Sequence, residues 1–201
     1  MVTVLDTEKD VIHTYEVHQD GNLPKDVATE LTSILSSSSD MSEIVTYNGA
    51  GMGFRLLADG SVNARDAAEM ALLHTDMFID FALDRGFRIS LESICAGINH
   101  AYTRAESDTF SESKRDELVR RASADEARAV DAVRRYALKW GRLQWKTASG
   151  AIRSWALPGD VKFRAVDEAV GTYFDAPPNV AWMQSPPDVL ADIRWALDLF
   201  P

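Results

Sequence analysis

The sequence predicts an α+β fold, in which a ferredoxin-like unit of order βαββαβ precedes a mainly helical unit with a small β-hairpin. Three observations support this prediction. Strand-like and helix-like patterns of apolar residues alternate over the first ninety residues. Helix-like patterns dominate after that point, which places a boundary between residues 1–90 and 91–201. A chain of 201 residues, 46% of them apolar, can also bury a core.

The first half of the ferredoxin-like unit has the pattern strand, helix, strand. Val11–Val17 alternates apolar and polar positions and is rich in β-branched and aromatic residues, which is typical of a strand. A preceding strand over Val2–Leu5, paired with it as a hairpin, is a further possibility. Pro24 suits the first turn of a helix that continues to Leu35. Ile44–Tyr47 is the next predicted strand.

The second half repeats the pattern. Phe54–Ala58 is predicted as a strand, joined to the preceding one through a glycine-rich turn. Asn63 can cap a long helix that runs to about Arg85, and Gly86 is well placed to end it. Phe87–Ile89 is predicted as a last short strand.

The two halves can be aligned with each other. Residues 15–34 match residues 54–73 without gaps, with four identical pairs. The match indicates either an internal twofold repeat or the chance similarity of two strand–turn–helix segments.

The helical unit opens with a helix capped by Ser90, since apolar residues follow it at helical spacing: Leu91, Ile94, Cys95, Ile98 and Tyr102. Another helix begins near Ser111. Ser123 and Glu126 stand at the spacing of a capping box, which predicts a further helix start. The expected buried face of that helix consists of Val130, Val133, Ala137 and Trp140.

The rest of the unit begins with a predicted hairpin formed by Leu143–Lys146 and Ile152–Ala156. Asp160 can cap a helix to about Tyr173. A proline-rich loop over residues 175–187 leads to a last helix, Val189 to Phe200, for which Ser185 is the predicted cap.

Composition restricts the class of protein. The formal net charge is −10, which disfavours a protein that covers nucleic acid with its whole surface. Cys95 is the single cysteine, so no internal disulfide is possible. The first residues lack the pattern of a signal peptide, and the most apolar stretch, 70–83, is interrupted by charged residues. We therefore expect a cytoplasmic protein without a membrane segment.

Catalytic motifs are absent from the sequence. It contains no H-x-x-x-H pair, no G-x-S-x-G elbow and no Walker motif, so no cofactor or metal ion is predicted. The glycine cluster Asn48–Gly53 is best interpreted as a hairpin turn, with a backbone ligand site as the alternative. His74 is expected in the core, and Cys95 is expected to be buried and inert.

One acidic stripe requires an explanation. Along the predicted helix from Asn63, four carboxylates share one side, opposite His74: Glu69, Asp76, Asp80 and Asp84. Like charges four residues apart destabilise a helix. The alternatives that could offset them are solvent, nearby arginines, a basic segment elsewhere, or a divalent cation.

The basic segment at residues 114–164 is the most informative feature. It holds thirteen basic and six acidic residues, a net charge of +7, so the remainder of the chain carries −17. Four arginines recur every seven residues. The candidate binding residues for an anion or an acidic partner are Arg121, Arg128, Arg135, Lys139, Arg142, Trp140 and Trp145. A solvated amphipathic helix and intramolecular docking against the acidic half are the alternatives.

Three functional hypotheses follow. The leading one is a non-catalytic binding or regulatory protein that acts through the basic, Trp-bearing surface and an acidic body. Its partner is expected to be another protein, with nucleic acid possible only through residues 114–164. The second is a small-molecule, hydrolase-like enzyme with a site at the junction of the two predicted units, for which His74, His100, Asp76 and Asp80 are the candidates. The third is an acidic inhibitor that mimics nucleic acid.

Overall fold

A computed structural model describes residues 2–7, 9–15, 24–36, 43–60, 64–103, 112–159 and 162–200. In chain order the elements are β1 (Val2–Asp6), β2 (Val11–Tyr15), α1 (Lys25–Ser36), β3 (Val45–Thr46), α2 (Gly53–Gly60), α3 (Ala64–Leu73), β4 (Thr75–Asp76), α4 (Met77–Arg85), α5 (Leu91–Gly97), α6 (Glu112–Trp140), β5 (Arg142–Lys146), β6 (Ile152–Ala156), α7 (Val166–Asp175) and α8 (Arg194–Leu197). The protein is therefore a mixture of helices and small sheets, as the α+β prediction requires.

The chain forms two compact units, and each takes two separate stretches of sequence. Unit 1 consists of residues 1–17 and 90–162, and unit 2 consists of residues 18–89 and 163–201. Each unit therefore draws residues from both sides of position 90, where the sequence analysis places its domain boundary.

Unit 1 is organised around α6, a helix of 29 residues. Helix α6 packs against the antiparallel hairpin β1–β2, against β5 and against α5. Strands β5 and β6 form a second antiparallel hairpin, in which buried Leu143 lies opposite buried Trp155. A Cβ atom at Gly97 would lie only 2.5 Å from the Trp145 Cα atom, so the close approach of α5 to β5 requires glycine.

Unit 2 contains a short parallel sheet, in which β3 pairs with β4. Strand β4 leads directly into α4, whose first turn is capped by the Asp76 side chain. Gly86 ends α4 with a φ of +75°, as the sequence predicted. One apolar cluster of the unit packs α4 against α7 and consists of Ala50, Phe78, Ile79, Ala82, Leu83, Val166, Ala169, Val170, Val189 and Ile193.

The ferredoxin-like arrangement is not confirmed. Phe54–Ala58, predicted as a strand, lies in helix α2, because Phe54, Leu57 and Ala58 form a buried face at helical spacing. Phe87–Ile89 is not a strand either. The described strands of residues 1–90 form two separate two-stranded sheets. The hairpin of Val2–Leu5 with the following strand is confirmed, whereas part of the proposed repeat lies outside the described residues.

The helix predicted from Asn63 to Arg85 is interrupted. Helix α3 ends at Leu73, the chain is extended through Thr75 and Asp76, and α4 then begins. The Thr75 amide donates to the Ile44 carbonyl at 3.0 Å, so pairing with the chain next to β3 replaces a turn of helix. The local sequence pattern predicts one continuous helix, but the hydrogen bond to the distant Ile44 carbonyl stabilises an extended conformation at this point instead.

Three other boundaries differ from the prediction. The predicted helix start at Ser123 is wrong, since α6 runs through it without a break. Helix α7 begins at Val166 and ends at Asp175, while Asp160 lies outside the described residues. The predicted last helix is reduced to α8, four residues long, because residues 189–193 form turns. No helix within the described ranges is both long and apolar enough to cross a lipid bilayer.

Candidate functional site

Four basic side chains define what we call the α6 face: Arg121, Arg128, Arg135 and Lys139. Residues seven apart on an α-helix differ in direction by only about 20°, and a residue four further on is the next neighbour. All four side chains are exposed. The opposite side of α6 is fully buried through Ala129, Val133 and Ala137. The unbroken helix therefore places the four cations together on the solvent side of unit 1.

Acidic residues lie between these cations. Arg128 Nη1 is 3.8 Å from Asp125 Oδ1, and Arg135 Nε is 2.8 Å from Asp131 Oδ2. The hydrogen bond and charge of Asp131 raise the pKa of Arg135. Both arginine side chains remain more than half exposed. Ion pairs in such positions are weak because water and salt screen them, so the arginines remain available to a partner.

The tryptophans predicted for this surface separate into two environments. Trp140, expected in the buried face of its helix, is instead 55% exposed, and Lys139 Nζ lies 5.1 Å from the centre of its ring. Trp145 is buried in β5, so it belongs to the core of unit 1 and cannot serve as an exposed contact.

Arg142 is exposed, but it follows the end of α6 and lies in β5. Its guanidinium therefore does not continue the helical stripe. The basic segment also ends differently from expectation, because Arg164 is buried in unit 2.

Arg164 accounts for two of the four carboxylates of the predicted acidic stripe, Asp80 and Asp84. Its Nε donates to Asp80 Oδ1 at 2.7 Å, and its backbone amide donates to Asp80 Oδ2 at 2.9 Å. Its Nη2 also lies 3.5 Å from Asp84 Oδ1. Burial raises the pKa of the Asp80 carboxyl to about 6, and the hydrogen bonds and charge of Arg164 limit the rise. The basic segment thus supplies the offsetting charge, from a position 84 residues along the chain.

Asp76 has a different role, because it is the centre of a hydrogen-bond network. Its Oδ1 accepts from the amides of Asn48, Phe78 and Ile79, at 2.8, 3.0 and 3.2 Å. Its Oδ2 accepts from the Ala50 amide and the Thr46 hydroxyl, both at 3.0 Å. One carboxylate therefore holds the end of β3, the glycine loop and the start of α4 together.

The charge of Asp76 is stabilised despite complete burial. Burial opposes ionisation, but the interaction with His74 and the amides of Ala50 and Asn48 outweigh it, so the pKa of Asp76 lies below its ordinary value. We call the three side chains His74, Thr46 and Asp76 the Asp76 network. Within it, His74 Nε2 lies 2.8 Å from Thr46 Oγ1 and 3.7 Å from Asp76 Oδ2. The prediction that His74 lies opposite the acidic stripe is thus wrong for Asp76.

The glycine cluster also differs from its prediction. It links β3 to helix α2, so it is a strand-to-helix connection and not a hairpin turn. Its Asn48 and Ala50 amides already bind the Asp76 carboxylate. Packing accounts for two of the glycines: a Cβ atom at Gly49 would lie 2.5 Å from Thr46 Cβ, and one at Gly51 would lie 2.8 Å from Asp192 Cβ.

The groups considered for catalysis are mostly enclosed. The side chains of His74 and Asp76 have no exposed surface. Cys95 is buried, and burial raises the pKa of its thiol to about 11, so it is protonated at neutral pH. In the part of the chain that the structure describes, no three His, Cys, Asp or Glu side chains converge to hold a metal ion. Comparisons with protein families, curated proteins and solved structures give no match to this chain.

Proposed function

We propose that this chain is a non-catalytic binding protein that recognises an acidic partner protein through the α6 face. One observation carries the proposal: an unbroken 29-residue helix holds Arg121, Arg128, Arg135 and Lys139 on one exposed side, while the opposite side is buried in unit 1. A rigid, well-packed helix fixes the backbone positions of these cations before binding, so only their side chains lose conformational freedom, which favours recognition of a surface with the opposite charge.

The interleaved acids favour a protein partner over nucleic acid. Asp125 and Asp131 alternate with the arginines, so the surface carries both signs of charge. A phosphate backbone is uniformly negative and would be repelled by those carboxylates, whereas a protein surface can present carboxylates to the arginines and cations to the acids.

Trp140 gives the face an apolar contact at its end. Trp140 is more than half exposed beside Lys139, and tryptophan is one of the residue types that contribute most to binding energy in protein interfaces. We therefore propose Trp140 as a contact in addition to the α6 face, and we propose Arg142 as a contact at its margin.

An enzyme is a weaker alternative, because the candidate groups His74, Asp76 and Asp80 are buried and bound to protein partners. A cytosolic setting forms part of the proposal, since the lone Cys95 gives the chain no disulfide of its own.

The test measures binding of two labelled probes by fluorescence anisotropy: a glutamate-rich peptide and a single-stranded DNA oligonucleotide. We expect the peptide to bind, and its Kd to rise steeply between about 50 and 200 mM salt. The triple variant Arg121→Glu/Arg128→Glu/Arg135→Glu should weaken peptide binding about tenfold or more, with its helical circular dichroism retained.

The matched control reverses three exposed cations of unit 2: Lys25→Glu/Arg55→Glu/Arg85→Glu. It changes the net charge by the same amount and should alter the peptide Kd by about twofold or less, apart from a long-range effect that salt removes. Equal losses in both triple variants, or no peptide binding by the unaltered protein, would contradict the proposal. Binding of the DNA in preference to the peptide would identify a nucleic-acid surface instead.

A further inference from the structure

We infer that the partner of the α6 face is an acidic α-helix that presents a carboxylate at every seventh residue along one side. The inference rests on the proposed function and specifies the shape and chemistry of the partner at the same site. It follows from the spacing of the cations along α6, from the residues between them and from the sign of their charge.

The cations of the α6 face repeat at a fixed distance. Arg121, Arg128 and Arg135 follow one another at seven-residue intervals within the continuous helix α6. An α-helix rises about 1.5 Å per residue, so their backbone positions are about 10.5 Å apart along the axis. Each step turns the direction of the side chain by only about 20°. A partner that pairs with all three arginines must therefore offer carboxylates about 10.5 Å apart on one side.

An extended strand does not match this spacing. Its residues rise about 3.3 Å each and alternate between two faces, so side chains on one face are about 6.6 or 13.2 Å apart. A polyproline II helix presents every third residue on one side at about 9.3 Å, which falls short by about 1.2 Å per step. An α-helix that lies along α6 has the same rise and repeat as α6, so carboxylates seven residues apart meet all three arginines.

The line that joins the arginines is open to such a helix. Ala124 and Ala132 lie between the arginines along this line, and both are small and partly buried. Because successive residues of a helix are about 100° apart, Asp125 lies about 60° to one side of Arg128 and Asp131 about 60° to the other. A helix laid along this line therefore meets cations and alanines, with the two carboxylates at its flanks.

The sign of the partner's charge follows from the same geometry. A second copy of this chain would place an identical row of cations against the α6 face, and like charges that face each other disfavour that pairing. A row of carboxylates has the opposite sign and the required spacing. The flanking Asp125 and Asp131 favour lysine or arginine at the margins of the partner helix, beside its row of acids.

The first test compares three labelled peptides of equal charge by fluorescence anisotropy with the full-length protein. Two are alanine-rich helices of the same composition, about 22 residues long, with three glutamates either seven or five residues apart. Glutamates five residues apart differ in direction by about 140°, so they do not form one row. The third peptide contains prolines and carries its glutamates at every third position.

We expect the peptide with seven-residue spacing to bind about tenfold tighter than the other two, because it alone forms three ion pairs at once. Its helical circular dichroism should also increase on binding. Equal affinities for all three peptides, lost together in Arg121→Glu/Arg128→Glu/Arg135→Glu, would overturn the helical partner and leave the proposed function standing. Absence of binding by every peptide would instead remove the proposed function and this inference with it.

The second test exchanges one pair of charges. Arg128→Glu should weaken binding of the peptide with seven-residue spacing about threefold or more, and replacing the central glutamate of the peptide by lysine should restore it. Arg120→Glu is the matched control, because it reverses an exposed cation of the same helix about 80° around the axis from Arg128. The lysine peptide should bind Arg128→Glu more tightly than it binds the unaltered protein or Arg120→Glu.

Two results of these experiments would overturn the inference. One is an equal affinity of the lysine peptide for the unaltered protein and for both single variants, which would mean that the peptide has no fixed register on α6. The other is a dimer of the unaltered protein in analytical ultracentrifugation that the triple variant abolishes, which would identify a second copy of this chain as the occupant.

Discussion

The two units treat charge in opposite ways. Unit 1 has 14 acidic and 14 basic residues, while unit 2 has 17 acidic and 7 basic residues and so carries the whole formal net charge of −10. In unit 1 the charges of the α6 face lie on the surface in weak pairs. In unit 2 a part of the charge is in the core, where Asp76, Asp80 and Arg164 make short hydrogen bonds.

The two units thus differ in what their charged residues do. Buried charges in unit 2 stabilise the fold, whereas exposed charges on α6 can exchange their partners. A buried charge without its partner is costly, so the charges inside unit 2 are fixed by the fold they support. An exposed arginine on α6 keeps most of its hydration and can exchange its partner at little cost. Acidity by itself therefore does not indicate a functional surface in this protein, and the proposed function rests on the exposure of the α6 cations instead.

The largest effect is expected from breaking the buried pair of unit 2. Arg164→Met leaves the Asp80 carboxylate buried without its cation, and we expect a loss of about 3–5 kcal/mol in the free energy of unfolding, measured by urea denaturation. The double variant Asp80→Leu/Arg164→Met removes both charges and should recover most of that loss. A loss below about 1 kcal/mol in the single variant would show that the pair does not support the core.

A second prediction applies the same substitution to both units. Asp76→Ala leaves the amides of the glycine loop and of the α4 start unpaired, and should destabilise the protein by about 3 kcal/mol. Asp125→Ala on α6 should change the free energy of unfolding by about 0.5 kcal/mol or less. Similar values for the two variants would remove the distinction between the units.

The effect of Asp76 should also depend on pH. Because the pKa of Asp76 is lowered in the folded state, its stabilisation is fully present above the unfolded value of 3.8 and is lost as pH falls through the lower folded-state value. The gap between the unaltered protein and Asp76→Ala should therefore narrow in acid. If the difference in the free energy of unfolding between the two proteins did not shrink as the pH falls below 3.8, Asp76 would not be ionised in the folded state.

Two helical glycines, one in each unit, provide a further contrast. Gly97→Ala would force a Cβ atom against the backbone of Trp145, and overpacking of this kind costs about 1–3 kcal/mol. Gly171→Ala in α7 meets open space and should stabilise unit 2 by about 0.5–1 kcal/mol. Thermal denaturation of both variants should show shifts of opposite sign. A neutral Gly97→Ala would mean that α5 and β5 are not in close contact.

Sequence patterns predicted unit 1 better than unit 2. The seven-residue spacing of Arg121, Arg128 and Arg135 along α6 and the two strands of the β5–β6 hairpin lie within short stretches of sequence. The local pattern of residues was therefore sufficient to predict them. In unit 2 the decisive partners are distant: Asp76 binds amides 26 and 28 residues away, and Asp80 binds Arg164 over 84 residues. A local pattern cannot report such contacts.

Two local signals in unit 2 were nevertheless present. An aspartate before the apolar run that begins at Met77 is typical of a helix cap, and it marks the start of α4. Phe54, Leu57 and Ala58 also fit helical spacing, although the run was interpreted as a strand. The burial of Trp145 could not be predicted, because tryptophans in a basic segment suit both a core and a binding surface.

The most direct test of the contrast between the units follows arginine side chains individually. In ¹H–¹⁵N spectra of the arginine Nε–H groups, addition of the glutamate-rich peptide should shift the signals of Arg121, Arg128 and Arg135 progressively. The Arg164 signal should stay in place, because that group is buried against Asp80. Shifts confined to arginines of unit 2, or no shift on α6 while the peptide binds, would contradict the account.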